Sequence, residues 1–69
     1  MWENELRLCY AMLSRNQKKA ADLLLEDTEA AGNMTVRELA DRAGVGQATI
    51  IRMLQAAGYE SWSAFQRTV

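Results

Sequence analysis

Residues 34–58 have the sequence MTVRELADRAGVGQATIIRMLQAAG, which contains the clearest helix start and stop signals of the chain. Thr35 and Glu38 have the spacing of a capping box, in which each side chain accepts a hydrogen bond from the other residue's backbone amide. The pattern predicts a helix over 36–43, a glycine turn, and a second helix over 47–57 that a further glycine ends. Two short helices joined in this way are the outline of a helix-turn-helix.

The inward positions of this segment have the sizes that two crossing helices require. Ala40 supplies a small side chain where the helices approach each other, and Gly44 allows the positive φ of the turn without a steric penalty. Val45, Ile50 and Met53 have the spacing to pack against the first helix. The second helix is therefore predicted to be a recognition helix, with its polar side facing outward.

The outward side chains at the start of the predicted recognition helix are suited to contacting base edges in the major groove. Glutamine pairs well with adenine and arginine with guanine, while threonine accepts several bases and alanine contacts the thymine methyl group. We therefore predict base readout by Gln47, Ala48, Thr49 and Arg52. The alternative is an ordinary helical hairpin whose polar outer face is only solvated.

A second capping box, formed by Ser14 and Gln17, predicts a helix that ends near Glu26. Its basic residues come first and its acidic residues last, an order that opposes the helix dipole and costs about 0.3 kcal/mol or more per charge. An external anion at the basic end would explain the order, whereas the alternative is a solvated surface without a role. We predict phosphate contacts from residues near the starts of this helix and of helix 36–43, namely Lys18, Lys19, Thr35 and Arg37.

The N-terminal segment predicts a helix over 2–12 that is apolar on two sides. The side that faces the core carries Leu6, Cys9, Tyr10 and Leu13. Leu8 and Met12 form a second strip, which predicts a homodimer through this helix; the alternative is that a small domain leaves them exposed. With a short last helix ending near residue 67, the sequence predicts an all-α fold, a small five-helix bundle that contains a helix-turn-helix.

The composition narrows the function further. The 69 residues include one cysteine, no histidine and no proline. A chain of this length forms one domain, and without histidine it lacks the usual metal ligand and the usual general base. We therefore expect no enzymatic activity, no metal and no cofactor. No apolar stretch approaches the roughly 20 residues that span a bilayer, and no signal peptide is visible, so we expect a cytoplasmic location without membrane contact.

The net charge of −1 is low for a nucleic-acid-binding domain, for which a basic surface is expected. The charges are unevenly distributed: residues 1–34 carry four basic and six acidic residues, and residues 35–69 carry four basic and three acidic residues. Four acids fall in the block 22–29, so the average does not exclude DNA binding. The acidic balance of the whole chain favours an alternative function, in which the chain is a helical module for protein–protein contact or dimerisation without DNA binding.

Four stretches of the chain resemble the RpiR-type (MurR/RpiR) bacterial transcriptional regulators. Residues 13–21, LSRNQKKAA, are similar to the opening of that family's DNA-binding domain. Residues 34–45 are similar to its Ser-Ile-x-Glu-Leu-Ala-x-x-Ala-Gly-Val motif, residues 48–52 to Ala-Thr-Val-x-Arg, and residues 58–65 to Gly-Phe-x-Gly-Tyr-x-Glu-Phe. The resemblance covers nearly the whole chain in register.

The resemblance implies that residues 1–69 are the N-terminal helix-turn-helix domain of a regulator that binds a DNA operator. In the family, a sugar-isomerase-type domain follows, binds phosphosugars and controls genes of sugar metabolism. That domain is absent from this chain, so a phosphosugar effector is expected to act only through it. One departure is Gly46-Gln47, where the family commonly has Ser-Glu, and it implies a different base preference. Trp62 and Phe65, in the C-terminal motif, are expected to be core residues.

Overall fold

The structure, a computed structural model, describes residues 1–69 and contains helices and no strands. Six α-helices and one short 3₁₀ helix follow one another in the order α1 (Trp2–Cys9), η1 (Tyr10–Met12), α2 (Arg15–Glu26), α3 (Thr28–Asn33), α4 (Val36–Ala43), α5 (Gln47–Ala56) and α6 (Trp62–Gln66). The predicted all-α fold is confirmed. The bundle has six α-helices where the sequence predicted five, and the additional helix is α3.

Three boundaries differ from those predicted. The first helix ends at Cys9 and continues as the 3₁₀ turn η1, because Leu13 must adopt an extended backbone, with φ −76° and ψ 149°, before α2 begins. The recognition helix ends at Ala56 instead of residue 57. The last helix begins at Trp62, as expected, and ends at Gln66. These shifts of one to three residues fall at helix ends, where the last turn often tightens or frays.

Both predicted capping boxes are present. At the start of α2, the Ser14 amide donates to Gln17 Oε1 at 2.9 Å, and the Gln17 amide donates to Ser14 Oγ at 3.2 Å. At the start of α4, the Thr35 amide donates to Glu38 Oε1 at 3.0 Å, and the Glu38 amide donates to Thr35 Oγ1 at 3.1 Å. The two helices near whose starts the phosphate contacts are predicted therefore begin where the sequence places them.

The core lies where α2, α4 and α5 pack against one another, and α1, α3 and α6 cover it. On α2, Ala20, Ala21 and Leu24 are buried, whereas Leu25 is only half-buried. All fifteen buried residues are apolar. The largest that are fully buried are Phe65, Leu6, Leu24, Leu39, Ile50, Met53 and Leu54.

An aromatic cluster joins the two ends of the chain. The rings of Trp2 and Phe65 lie 5.2 Å apart at an interplanar angle of 87°, and Tyr59 and Trp62 also pack against Phe65. Such edge-to-face pairs add to the stabilisation that burial provides. The prediction that Trp62 and Phe65 are core residues is confirmed. Trp2 was not recognised as a core residue, although it lies one helical turn before the buried Leu6.

Helix α6 is tied to the segment that leads into α4. The Trp62 indole donates to the Met34 carbonyl oxygen at 3.1 Å, and Gln66 Nε2 donates to the same oxygen at 2.9 Å. Gln66 Nε2 also lies 3.2 Å from the carbonyl oxygen of Ala31 in α3. Because Met34 directly precedes the N-cap Thr35, these hydrogen bonds fix the position of the N-terminus of α4.

Two apolar side chains of the N-terminal segment point away from the core. Leu8 is 80% exposed and Met12 is 87% exposed. The sequence placed both on a second strip of the first helix, and the structure leaves that strip open. None of the helices is long and apolar enough to cross a membrane.

Candidate nucleic-acid interface

A glycine turn sets the angle between α4 and α5. Gly44 has φ +72° and ψ 34°, the left-handed conformation in which a side chain would be strained. The Gly44 amide donates to the Asp41 carbonyl oxygen at 3.3 Å, and the Val45 amide donates to the Ala40 carbonyl oxygen at 3.0 Å. This pair of hydrogen bonds is a Schellman motif, which ends α4 at Ala43 and redirects the chain into α5.

The inner sides of the two helices have the predicted residues. Ala40 and Leu39 of α4 are buried, as are Ile50 and Met53 of α5. Val45, in the turn, is half-buried and packs against the same core. Helices α4 and α5 therefore form a helix-turn-helix whose second helix is held by its apolar side.

The other side of α5 is open to solvent over its first turns. Gln47, Ala48 and Arg52 are exposed and Thr49 is half-exposed, so all four predicted base-reading residues lie on the same short helix. Gly46 caps α5 without a side-chain hydrogen bond. The first backbone amides of α5 consequently add a partial positive charge to this surface. The surface combines amide, hydroxyl, guanidinium and methyl groups, as a base-reading surface requires.

The N-terminus of α4 already has a carboxylate beside it, unlike a helix start whose backbone amides face only solvent. The Glu38 carboxylate lies at this helix start and accepts the Thr35 amide, and this hydrogen bond, with that of the Thr35 side chain, lowers the pKa of Glu38. The Thr35 hydroxyl oxygen accepts from the Glu38 amide. Arg37 is exposed beside it. Thr35 and Arg37 therefore present a hydroxyl group and a cation to solvent at this position.

The basic side chains are almost all free of intramolecular ion pairs. The chain has eight lysines and arginines, and its one salt bridge joins Arg42 to Asp27 at 3.4 Å. Arg42 also approaches the sulfur of Met34 and so is directed toward α3. Lys19 is exposed and Lys18 is half-buried, both in the first two turns of α2. Seven cations therefore need not break an ion pair before they bind an external anion.

A tyrosine beside α2 was not recognised as part of this region. The Tyr10 hydroxyl donates to Asp22 Oδ1 at 2.7 Å, and Lys18 Nζ lies 5.5 Å from the centroid of the Tyr10 ring. The hydrogen bond to Asp22 raises the pKa of Tyr10, and partial burial and the negative charge of Asp22 act in the same direction. The sequence assigned Tyr10 only to the apolar side of the first helix, because no periodicity relates it to Asp22.

The structure has one open cleft of about 210 Å³, lined by residues of the α2–α3 junction, α3 and α4. Typical small-molecule pockets begin at about 300 Å³ and enclose most of their ligand. No group of three histidine, cysteine or carboxylate side chains is arranged to hold a metal ion. The features that stand out chemically are therefore the outer side of α5 and the unpaired cations.

Two crossing helices, a glycine turn between them and a polar, cation-bearing second helix define a helix-turn-helix DNA-binding domain of the kind found in transcriptional regulators. A family model described as the helix-turn-helix domain of the rpiR family matches residues 2–69. The chain belongs to that family, and the resemblance noted in the sequence is confirmed.

Two curated relatives are similar to the chain. The uncharacterized HTH-type transcriptional regulator YfhH of Escherichia coli is 33% identical over 61 residues, which cover 88% of this chain and 22% of that protein. An uncharacterized HTH-type transcriptional regulator of Haemophilus influenzae is 29% identical over 63 residues, covering 91% of this chain and 22% of that protein. The chain thus spans about a fifth of the length of both relatives.

Proposed function

We propose that this chain binds duplex DNA in a sequence-specific manner, with α5 in the major groove. Gln47, Ala48, Thr49 and Arg52 contact base edges. The main support for this proposal is the way in which α5 is exposed. Its inner side is buried in the core, while its first turns present polar and cationic groups to solvent. A helix held in this way enters the major groove without distorting the domain.

Phosphate contacts from α4 and α2 fix the register of α5. Thr35 contributes its hydroxyl group and Arg37 its guanidinium at the start of α4, and Lys18 and Lys19 contribute ammonium groups from the start of α2. The exposure of Arg37 and Lys19 and the absence of an ion pair at each of these cations support the assignment.

The protein acts as a homodimer that binds an inverted repeat, with half-sites about one helical turn apart. The contact is made by Leu8 of α1 and Met12 of η1, which are both exposed apolar residues. Helix α1 has acidic residues in its first turn and Arg7 in its last, so two antiparallel copies bring opposite charges together. A second copy of the chain is therefore the occupant that this strip fits.

The chain serves a longer regulator, in which a further domain senses the effector. The resemblance to the RpiR-type regulators points to a phosphosugar as that effector and to genes of sugar metabolism as targets. The assigned role includes no catalysis. Because the partner is chromosomal DNA, the protein works in the bacterial cytoplasm.

The proposal is tested by selecting bound sites from a random duplex pool with the 69-residue chain. An inverted repeat is expected, and affinity for it falls linearly with the logarithm of salt concentration. Arg52→Ala and Gln47→Ala are each expected to cost about 1–3 kcal/mol of binding free energy at fixed salt and to relax specificity at one base pair.

Arg67→Ala is the matched control, because Arg67 is an exposed arginine outside the proposed interface. Its effect is expected to be much smaller than that of Arg52→Ala. Unchanged affinity in Arg52→Ala and Gln47→Ala would show that the recognition surface is misassigned. A chain that selects no DNA and has no salt-dependent affinity would instead be a protein-interaction module.

A further inference from the structure

Tyr10, Lys18 and Asp22 form a cluster that the assigned base and phosphate contacts do not explain. Tyr10 lies in η1, and the other two residues are one turn apart on α2. The Tyr10 hydroxyl donates to Asp22 Oδ1 at 2.7 Å, and its ring lies beneath the Lys18 ammonium group at 5.5 Å from nitrogen to centroid. Both distances are within the ranges of effective hydrogen bonds and cation–π contacts.

The spacing of Lys18 and Asp22 is that of an ion pair on a helix surface. The structure has no such pair, because its one salt bridge is between Arg42 and Asp27. Asp22 is instead engaged by the Tyr10 hydroxyl, and Lys18 is held over the ring. The tyrosine therefore contacts both of these opposite charges, and they form no ion pair with each other.

We propose that Tyr10 is a positioning residue for DNA binding, which keeps Lys18 available to a phosphate by occupying Asp22 and by supporting the lysine ammonium on its ring. This inference rests on the proposed phosphate contact of Lys18. An ammonium group already paired with a carboxylate gains less from a phosphate, because the first pair must be broken. An ammonium group that lies on an aromatic ring can still bind an anion on the side that faces away from the ring.

The salt dependence of DNA binding measures this effect directly. The logarithm of the affinity falls linearly with the logarithm of the salt concentration, and the magnitude of this slope decreases by about 0.9 for each phosphate that the protein no longer neutralises. Below, a lower slope means a slope of smaller magnitude. The probe is a duplex of about 30 base pairs carrying the selected inverted repeat, which spans two half-sites. Lys18→Ala is expected to lower the slope by about 0.9 per protomer. Tyr10→Phe keeps the ring but releases Asp22, and it is expected to lower the slope in the same direction and the affinity about two- to fivefold.

Asp22→Asn supplies the rescue, because an amide does not pair with lysine as a carboxylate does. Added to Tyr10→Phe, it is expected to restore the slope, and it should raise affinity more in that background than in the wild type. Lys18→Ala should abolish the difference between the two backgrounds. A purely structural hydrogen bond would change the thermal midpoint, leave the slope unchanged and give additive effects on affinity.

Each outcome has one interpretation. A wild-type slope near zero contradicts DNA binding itself. A normal wild-type slope that Lys18→Ala leaves unchanged shows that Lys18 contacts no phosphate, and the role of Tyr10 is then overturned while DNA binding stands. A slope that falls in Lys18→Ala but not in Tyr10→Phe overturns only the role of Tyr10.

Discussion

Glu38 couples a local capping motif to the surface proposed to contact DNA. Its carboxylate accepts the Thr35 amide at 3.0 Å, and this hydrogen bond, followed by that of the Thr35 side chain, lowers its pKa below the ordinary 4.5. A group whose pKa is lower in the folded state stabilises that state while it is ionised. The stabilisation of the fold by Glu38 is therefore complete above about pH 4.5, and it is lost as the pH falls through the folded-state pKa of Glu38.

Glu38→Gln tests this argument, since glutamine keeps the hydrogen bond of the capping box but does not ionise. We expect the thermal midpoint of the variant to fall less than that of the wild type as the pH is lowered below the ordinary glutamate range. Gln17 forms the same box at the start of α2, so Gln17→Glu is the converse control and should add pH dependence. Parallel curves for the wild type and Glu38→Gln would refute the role of the ionised carboxylate.

Contacts between individual residues were predictable only when they were local. Both capping boxes join residues three apart, and their distances follow from the geometry of one helical turn. The bond from Tyr10 to Asp22 spans twelve residues, and it depends on how η1 redirects the chain into α2. No pattern in the sequence encodes that angle, so this contact required the structure.

At the scale of elements, the sequence predicted the long amphipathic helices and missed the short polar one. Helix α3 has only six residues and no side-chain cap, so its composition resembles a loop. It is helical because Ala30 and Ala31 are buried against the core and because Gln66 binds the Ala31 carbonyl oxygen. Tertiary packing, which periodicity within α3 does not report, therefore decides its conformation.

The turn between α4 and α5 offers a matched pair of glycines. A Cβ atom at either Gly44 or Gly46 would meet no atom within 4 Å, so space does not distinguish them. Gly44 has φ +72°, whereas Gly46 has φ −77° and caps α5. We expect Gly44→Ala to destabilise the fold by about 1–2 kcal/mol. Gly46→Ser should stabilise it by about 0.5 kcal/mol, through the added cap and the less flexible unfolded chain.

Chemical denaturation measured on both variants separates backbone strain from steric clash. Opposite signs of the change in unfolding free energy are expected, with an unchanged denaturant slope. If both substitutions destabilise the fold equally, crowding at the turn and not the left-handed conformation of Gly44 limits this segment.

At the scale of the whole molecule, the core serves to orient surfaces that it does not itself form. The Trp2–Phe65 contact brings the first and last α-helices together, and the hydrogen bonds of Trp62 and Gln66 tie α6 to Met34. The start of α4 is thus positioned by residues of α6, near residue 69. A substitution in α6 is therefore expected to weaken the proposed phosphate contacts at the start of α4, although no residue of α6 is proposed to contact DNA.

The exposed strip formed by Leu8 of α1 and Met12 of η1 gives a prediction for the assembly. A stable interface buries about 800 Å² per partner, about a fifth of the 4206 Å² surface of this chain. In the proposed dimer, Leu8 and Met12 would be the centre of such an interface and not the whole of it, so we expect a dissociation constant on the order of micromolar. Sedimentation equilibrium over a concentration series should detect it.

Leu8→Glu is expected to abolish the dimer without lowering the thermal midpoint of the monomer, because Leu8 is 80% exposed and its replacement costs little internal packing. Val69→Glu introduces the same charge at another exposed apolar residue and should leave the dimer intact. On DNA, Leu8→Glu should keep its affinity for a single half-site and lose most of the gain from a second half-site. If Leu8→Glu and the wild type form the same dimer, α1 is not the contact and the symmetry of the complex must come from another surface.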